Sequence, residues 1–343
     1  MIKPSANLMQ KIARFKANRR AYYAFVVFAA LCFLSFAAPF IANDKPLVVV
    51  VRYDGHWYFP IFTAYPETAF GGEFKTQADF KDPYVREKIN EKGFFIMPPV
   101  PFSYDTVNYR AAKPAPSAPS RDNLLGTDDS GRDVLARLLY GLRFSLAFGV
   151  VLTVLSCAAG VAAGALQGYF GGRIDLIFQR FLEIWGSLPQ LFILIIVSGM
   201  IAPSFWSLLI ILLLFSWTAL VPVVRAEFLK ARKSDYVKAA IACGVPDVVI
   251  IFRHILPNAL VAAFTYLPFI LAGAVVSLTA LDFLGFGLPA GTPSLGELVR
   301  QGKENLQAPW LALSAFVSLA VLLSVLVFIG EGVRDAFNPR KNR

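Results

Sequence analysis

Few residues in this 343-residue chain could act as catalysts or metal ligands. It has two histidines, His56 and His254, and three cysteines, and their spacing matches no zinc or metalloprotease site. The chain also lacks the G-x-x-x-x-G-K-[ST] loop that holds nucleotide phosphates and the G-x-S-x-G turn of serine hydrolases. We therefore expect no catalytic residue, no metal site and no cofactor bound by this chain.

Acidic side chains at two places could bind a cation or a charged ligand. The pair Asp128-Asp129 lacks the further oxygen ligands of a calcium site, so Thr127 or Asp128 is better interpreted as the cap of the following helix. Asp282 lies at the end of a long apolar run, where a carboxylate is a candidate for contact with a substrate. The alternative is a charge that reaches water at the membrane interface, and the sequence leaves both interpretations open.

Long uncharged segments decide the class of protein. Charged residues make up 16% of the chain and mean hydropathy is +0.57, whereas soluble proteins have about 25% charged residues. A membrane-spanning helix needs about 20 apolar residues. Five segments contain no Asp, Glu, Lys or Arg: residues 21–43, 144–172, 184–224, 255–281 and 305–330. The third is long enough for two helices with a reversal near residues 202–204, so we predict an all-α polytopic membrane protein with six transmembrane helices.

The basic residues predict the orientation. Six helices place both termini on one side, where the summed charge is +11, and the opposite side sums to −1. The first side comprises residues 1–20, 173–183, 225–254 and 331–343. Because short loops rich in Lys and Arg stay in the cytoplasm, both termini are predicted to be cytoplasmic. The net charge of +10 then reflects topology and contact of the basic tail with membrane lipid, and it requires no nucleic-acid partner.

Small residues recur every four positions in the second predicted span. Ser156, Gly160, Gly164 and Gly168 fall on one face of a helix. Small residues let helix backbones approach closely inside a membrane. We interpret this face as a helix-packing seam and not as a ligand site.

Residues 44–120 are predicted to form an external insert after the first span. An Asp54-Gly55 turn signal lies between two runs of β-branched and aromatic residues, 46–53 and 56–61, which predicts a β-hairpin. A proline-rich linker follows. The insert either covers the ends of the spans or presents a docking surface to an external partner, and the sequence supports both interpretations.

A charged segment, residues 234–258, lies between two of the most apolar parts of the chain. Ser234 or Asp235 can cap a first helix, and Gly244 suits the left-handed residue that follows a helix end. One face of that helix carries mostly small residues: Tyr236, Ala239, Ala240 and Cys243. These patterns predict an elbow of two short helices outside the membrane, with a face that another protein could approach.

The second helix of the elbow is predicted to begin near Pro246, which suits a first helical turn. Its apolar face repeats the helical spacing at Val248, Ile251, Phe252 and Ile255. Leu256-Pro257 is predicted to end it, since proline removes a backbone donor.

The elbow resembles the EAA signature of permease subunits of ABC importers, in Ala239-Ala240-x-x-x-Gly244 followed by Leu256-Pro257. The fuller run, from Asp235-Tyr236 to Asn258, is similar to the dipeptide and oligopeptide branch. Further agreement lies in residues 125–135, 168–172, 283–287 and 331–340. The resemblance covers about residues 121–340, and the insert most resembles the second permease subunit of the microcin C and oligopeptide importers.

The resemblance implies a type I (MetI-like) importer domain of six helices in the bacterial inner membrane, with a periplasmic insert after the first span. It also implies a second permease subunit, cytoplasmic ABC ATPases that bind the ATP, and a periplasmic peptide-binding protein. The elbow would contact the ATPase through Asp235, Tyr236, Ala239, Ala240, Gly244, His254, Leu256, Pro257 and Asn258. Lys238 stands where the signature has Glu, and His254 where Ile is common, so a salt bridge from that Glu is not carried over. Asp282 replaces a common Ser.

These observations predict the non-catalytic permease subunit of an ATP-driven importer of peptides, such as oligopeptides, dipeptides or microcin C-like peptides. The alternative is a stand-alone six-span secondary carrier or channel, although neither inverted repeats nor a selectivity filter is visible. The predicted segments are a cytoplasmic tail (1–20), the first transmembrane helix (21–43), the periplasmic insert (44–120), a periplasmic amphipathic helix (121–143), the transmembrane domain (141–333) and a cytoplasmic tail (334–343).

Overall fold

The computed structural model describes residues 6–51, 56–109, 113–289 and 291–337. Most of the described chain is helical. The helices are α1 (Ala6–Ala17), α2 (Arg19–Phe36), α3 (Ala38–Ile41), α4 (Pro83–Lys92), α5 (Val134–Phe170), α6 (Gly172–Ser187), α7 (Gln190–Met200), α8 (Phe205–Ser216), α9 (Val221–Arg232), α10 (Asp235–Ala242), α11 (Asp247–Val249), α12 (Leu256–Phe283), α13 (Leu295–Glu304) and α14 (Pro309–Phe337). The strands are β1 (Val48–Val51), β2 (Trp57–Tyr58) and β3 (Gly93–Ile96).

Five helical runs of the described chain are long and apolar enough to cross a membrane. They are Arg19–Phe36, Val134–Phe170, Phe205–Arg232, Asp247–Phe283 and Pro309–Phe337. The pair α6 and α7 supplies a sixth if it counts as one span, although the two helices bend by 76° at the break between them. This architecture confirms the predicted polytopic helical fold.

The predicted reversal within residues 184–224 is present, but the helix before it differs from the prediction. α7 ends at Met200 and α8 begins at Phe205, after Ser204 accepts the Ser207 N–H in a capping box. The apolar run does not start a new helix at 184, because α6 continues to Ser187. Leu188 then adopts an extended backbone, as expected for a residue that precedes a proline, and the helix breaks there.

α5 combines two elements that the sequence placed apart. It is one helix of 37 residues, so the predicted amphipathic helix and the second span are continuous. The predicted cap at Thr127 or Asp128 is wrong, because Asp133 Oδ1 accepts the Ala136 N–H at 2.7 Å and so caps the helix. No proline interrupts residues 134–170, and nothing in that stretch ends the helix at the membrane boundary.

The second helix of the elbow does not end at Leu256-Pro257 as predicted. Residues 247–283 form one continuous helical run, with a π-helical segment at Ile250–Ile255 before the proline. The Leu256 N–H donates to the carbonyl of Ile251, five residues earlier. Because Pro257 has no N–H and its ring crowds the preceding turn, a wider π turn accommodates the proline without ending the helix.

Contacts divide the described chain into two compact units. The first comprises residues 6–30, 145–289 and 320–337. It contains two buried apolar clusters, one centred on Phe148, Leu212 and Leu278 and the other on Phe228 and Ile255. The remaining described residues form the second unit.

The second unit contains a small antiparallel sheet in the order β2-β1-β3. Val50 lies opposite Trp57, which confirms the predicted hairpin, and its turn at Asp54-Gly55 lies outside the described residues. The pairing of β3 on the other edge of β1 was not predicted. The unit also buries an apolar cluster made of Val49, Phe70, Ala78, Phe80, Val85 and Ile89, so the insert has a core of its own.

Candidate functional site

α10 forms the first helix of the elbow. Ser234 occupies its N-cap position, but the Ser234 hydroxyl donates to the carbonyl of Ala231 and accepts no amide proton of the first turn. The predicted side-chain cap by Ser234 or Asp235 is therefore wrong. Asp235 still lies in the first turn, where its negative charge interacts favourably with the helix dipole.

The turn between the two elbow helices is fixed by backbone hydrogen bonds. The Val245 N–H donates to the carbonyl of Ala240 at 3.1 Å, and the Gly244 N–H donates to that of Ile241 at 3.0 Å. These two bonds form a Schellman motif, which needs a left-handed residue at the glycine position. Gly244 has φ +72°, as the sequence predicted. The elbow is therefore a defined turn and not a flexible loop.

Three apolar side chains anchor the elbow to the first unit. Val237, Ile250 and Ile255 are completely buried, in one cluster with Val224 and Phe228 of α9. Full burial of an aliphatic side chain of this size contributes about 1.5–3 kcal/mol. The elbow is thus held by packing on its inner side.

The outer side of the elbow exposes large apolar side chains to solvent. Tyr236 and Ile241 of α10 are about half exposed, and Val248 and Phe252 are each 64% exposed. The prediction of one apolar face on the second helix is therefore wrong. Val248 and Phe252 point outward, whereas Ile255 is buried. The π turn changes the angular spacing between these residues, and a 3.6-residue period no longer describes them.

The other predicted elbow residues lie at several depths. Ala239, Pro257 and Asn258 are exposed, whereas Ala240, His254 and Leu256 are partly buried. The Asp235 carboxylate is fully exposed, and its Oδ1 lies 3.6 Å from Nζ of Lys238, the residue that stands where the signature has Glu.

Polar contacts that the sequence did not reveal tie the elbow and its neighbours together. The Tyr169 hydroxyl of α5 donates to Asp247 Oδ1 of α11 at 2.5 Å. Arg225 of α9 makes two hydrogen bonds, of 2.5 and 2.6 Å, to the carboxylate of Asp175 in α6. The partners lie 78 and 50 residues apart, and no local pattern in a single sequence pairs such positions.

The three glycines of the predicted seam lie along the contact between α5 and the segment Trp217–Phe228. A Cβ atom on Gly160 would lie 2.6 Å from the carbonyl oxygen of Trp217. A Cβ on Gly164 would lie 2.8 Å from the Val224 Cβ, and one on Gly168 would lie 2.5 Å from the Phe228 Cβ. Real Cβ atoms essentially never approach so closely, so the helices are in backbone contact at all three positions.

Asp282 is buried, with 7% exposure, near the end of α12. Its Oδ1 accepts the Leu288 N–H at 2.7 Å across the turn that follows the helix. A Cβ on Gly287 would collide with the same carboxylate. Asp282 therefore fixes the turn after α12, a structural task that its position in the sequence did not indicate.

A buried network of charges holds the second unit together. Arg137 and Asp128 are both completely buried, and Arg137 Nε lies 3.4 Å from Asp128 Oδ2. The Arg137 guanidinium also donates to Glu297 of α13 at 2.9 Å, and Arg132 Nε lies 2.8 Å from Asp128 Oδ2. The sequence suggested only a helix cap for Asp128. The structure gives it two arginine partners.

The N-cap of α5 belongs to the same buried region. Asn123 donates to Asp133 Oδ2 at 2.8 Å, while Oδ1 accepts the cap bond. Burial raises the pKa of the Asp133 carboxyl above its ordinary value, against the opposing effect of these hydrogen bonds. Across the described residues, no group of three or more His, Cys, Asp or Glu side chains could hold a metal ion.

Comparison with known proteins places the elbow and the spans in one family. Residues 160–343 match the family model described as "Binding-protein-dependent transport system inner membrane component". The chain is 55% identical to the inner membrane ABC transporter permease protein YejE of Escherichia coli K12, over 96% of both chains. It is 51% identical to the peptidoglycan transport system permease protein YejE of Agrobacterium fabrum, over 95% of this chain and 91% of that one.

A more distant relative is the oligopeptide transport system permease protein OppC of Haemophilus influenzae. It is 34% identical over 70% of this chain and 77% of its own length. These matches favour an ABC permease over a stand-alone carrier or channel. The chain belongs to the binding-protein-dependent transport system inner membrane component family and is a multi-pass ABC transporter permease.

Proposed function

We propose that this permease carries peptides across the inner membrane, driven by ATP hydrolysis in cytoplasmic ABC ATPases. The names of its relatives, an oligopeptide permease and a peptidoglycan transport permease, support a peptide cargo. Short peptides derived from the cell wall and microcin C-like peptides share the chemistry of a polyamide chain, and both fit this class. The chain itself performs no ATP hydrolysis in this proposal, since it has no loop for nucleotide phosphates.

The proposed assembly contains a second permease subunit, the ATPases and a periplasmic peptide-binding protein. The excess of basic residues in the predicted cytoplasmic segments supports an orientation with both termini in the cytoplasm. The insert at residues 44–120 then lies in the periplasm.

The exposed apolar surface of the elbow carries the proposal. Phe252 and Val248 would be unfavourable in water, and exposed apolar patches of this kind mark sites of protein–protein contact. The surface is rigid, because buried Val237 and Ile255 anchor it and a Schellman motif fixes its turn. A rigid elbow seated on an ATPase can transmit movement of that ATPase to α9 and α12, against which it packs.

Gly244→Glu should uncouple ATP hydrolysis from peptide uptake while leaving the protein in the membrane. A Cβ at Gly244 meets no atom within 4 Å, so the new side chain points into open space and into any partner seated there. The measurement is uptake of a labelled peptide pool by cells, together with ATPase activity of the purified complex and the amount of permease in the membrane.

Gly172→Glu is the matched control. Gly172 also has a left-handed backbone, with φ +55°, and a Cβ there meets nothing within 4 Å, so the backbone strain is comparable while the site lies outside the elbow. Normal coupled uptake by Gly244→Glu would contradict the role of the elbow. Purification of the wild-type permease without any ATPase after gentle solubilisation would favour a stand-alone carrier.

Asp282 is a second candidate for contact with cargo, as a partner for the cationic amino terminus of a peptide. Asp282→Ser should then reduce uptake of peptides with a free amino terminus more than uptake of their acetylated forms. Asp282→Asn is the control, because its side-chain oxygen can still accept the Leu288 N–H and preserve the turn. An equal reduction for both peptide forms relative to the wild type, or no reduction for either, would contradict this role.

A further inference from the structure

A cavity of about 320 Å³ lies inside the first unit. Its wall is formed by α5, α8, α12, the first residue of α7 and the short 3₁₀ turn Trp217–Ala219. Gln190 and Tyr266 line the cavity and are exposed, so it opens to the surface of the unit. The cavity lies in helices long and apolar enough to span the membrane.

Two interruptions of regular helix border this cavity. Pro189 breaks the pair α6–α7 immediately before Gln190, and the 3₁₀ turn interrupts the run from α8 to α9. Irregular backbone at membrane depth is tolerated only where it is buried in protein or lines a cavity. Interrupted helices also form the substrate sites of many transporters. The meeting of two breaks at one cavity therefore indicates a functional cavity and not a packing defect.

The lining of the cavity is mostly apolar, with five polar side chains and no charged one among the described residues. The Ser216 hydroxyl is hydrogen-bonded to Ser156, and the Thr218 hydroxyl donates to the carbonyl of Phe215. The Gln190 amide and the Tyr266 and Ser277 hydroxyls have no hydrogen-bond partner in the part of the chain that the structure describes. Gln190 and Tyr266 are exposed and Ser277 is partly buried, so these three groups are available to a polar ligand.

We propose that this cavity holds part of the cargo during passage and binds the uncharged backbone amides of a peptide. An amide and two hydroxyls supply both donors and acceptors, which match the N–H and C=O groups of a peptide backbone. With no charge in the wall, the cavity has no electrostatic means of selecting side chains. The inference rests on the proposed function, and it adds a binding site that tolerates different peptide sequences.

Filling the cavity tests this inference. Gly273 of α12 lines the cavity, and a Cβ there would meet no atom within 4 Å. Gly273→Leu therefore places a bulky side chain at the cavity wall without a clash at its Cβ. We expect the initial rate of peptide uptake to fall roughly tenfold or more, because cargo can no longer occupy the space, while the amount of permease in the membrane is unchanged.

Two matched variants separate blockage from a general effect of the substitution. Gly273→Ala adds one methyl group at the same helical position and should retain most of the uptake. Gly186→Leu makes the same change on α6, where a Cβ also meets nothing within 4 Å, but outside the cavity lining, and should import normally. Equal uptake by Gly273→Leu and Gly186→Leu would overturn the inference.

Removing the polar groups tests the chemistry of the cavity. Gln190→Leu and Tyr266→Phe should each lower uptake by roughly two- to tenfold, the range expected for one lost hydrogen bond. The reduction should be the same for acidic, neutral and basic peptides of one length. A reduction confined to peptides of one charge would contradict recognition of the backbone.

One comparison distinguishes failure of this inference from failure of the proposed function. A strain that lacks only this chain is tested with and without the wild-type gene restored. Equal peptide uptake by the two strains would contradict the proposed function itself. Restored uptake that Gly273→Leu supports as well as the wild type would contradict only the cavity.

Discussion

Gly164→Leu is expected to abolish stable accumulation of the permease in the membrane, and Gly164→Ala to lower its unfolding temperature. A Cβ at Gly164 would lie 2.8 Å from the Cβ of Val224 and 2.9 Å from the carbonyl oxygen of Val221. Neither atom can rotate away, because one is a backbone atom and the other is attached directly to the backbone. Even a methyl group must therefore push α5 and α9 apart.

The size of the effect follows from overpacking. Extra methylene groups in a well-packed core cost about 1–3 kcal/mol and occasionally more, whereas the whole stability of a domain is about 5–15 kcal/mol. Separation of α5 and α9 would also loosen the contacts at Gly160 and Gly168, which lie one helical turn away on either side. The destabilisation caused by leucine should be too large for α5 and α9 to remain packed.

Thermal unfolding in detergent and the amount of protein in isolated membranes are the measurements. Gly186→Ala and Gly186→Leu are the matched controls, because a Cβ at Gly186 meets no atom within 4 Å. If the two leucine variants had equal stability, the close packing of α5 against α9 would be wrong.

Features set by local chemistry could be predicted from the sequence. The left-handed conformation of Gly244 follows from its place after a helix end, and the reversal before Phe205 follows from the Ala-Pro-Ser turn chemistry. The four-residue spacing of Gly160, Gly164 and Gly168 indicated a packing face. The sequence did not indicate which helix packs there, because that depends on the folded arrangement of the spans.

Local signals for helix ends were misleading at two places. Leu256-Pro257 was expected to stop a helix, yet a π turn carries the helix through it. The start of α5 was placed near Asp128, but that carboxylate pairs with Arg132 and Arg137, and Asp133 caps the helix instead. In the first case a change in backbone geometry allowed the helix to continue through the proline. In the second case ion pairs with the two arginines engaged the carboxylate that was expected to cap the helix.

The position of the elbow was predictable, but its surface was not. Charge and small residues located it between apolar segments, whereas the exposure of Phe252 and Val248 depends on the π turn. The link from Tyr169 to Asp247 and the interrupted helices around Gln190 join distant parts of the chain. A single sequence contains no signal for such pairs, because nothing in the residues around each partner indicates which distant residue it contacts.

Arg137→Met is expected to destabilise the second unit strongly, although methionine has a similar reach and high helix propensity. The substitution removes the guanidinium that bridges Asp128 and Glu297, of which Asp128 is completely buried and Glu297 is mostly buried. Removing one partner of a buried ion pair typically costs about 3–5 kcal/mol, because a charge is left without compensation. We expect the lower part of that range, since Arg132 still contacts both carboxylates.

Arg180→Met is the matched control for this prediction. Arg180 Nη1 lies 2.6 Å from Glu183 Oε2, so the two residues also form an ion pair. Both side chains are more than half exposed. Exposed pairs contribute about 0–1 kcal/mol, so Arg180→Met should unfold close to the wild-type temperature in detergent.

A double variant isolates the role of charge. Arg137→Met combined with Glu297→Gln should recover part of the lost stability, because the second change removes a carboxylate that has lost its closest cation. Additive effects of the two substitutions, or equal unfolding temperatures for Arg137→Met and Arg180→Met, would contradict the view that a buried charge network joins α5 to α13. Partial recovery would show that the stability lost in Arg137→Met comes from the uncompensated carboxylates and not from the packing of the arginine stem.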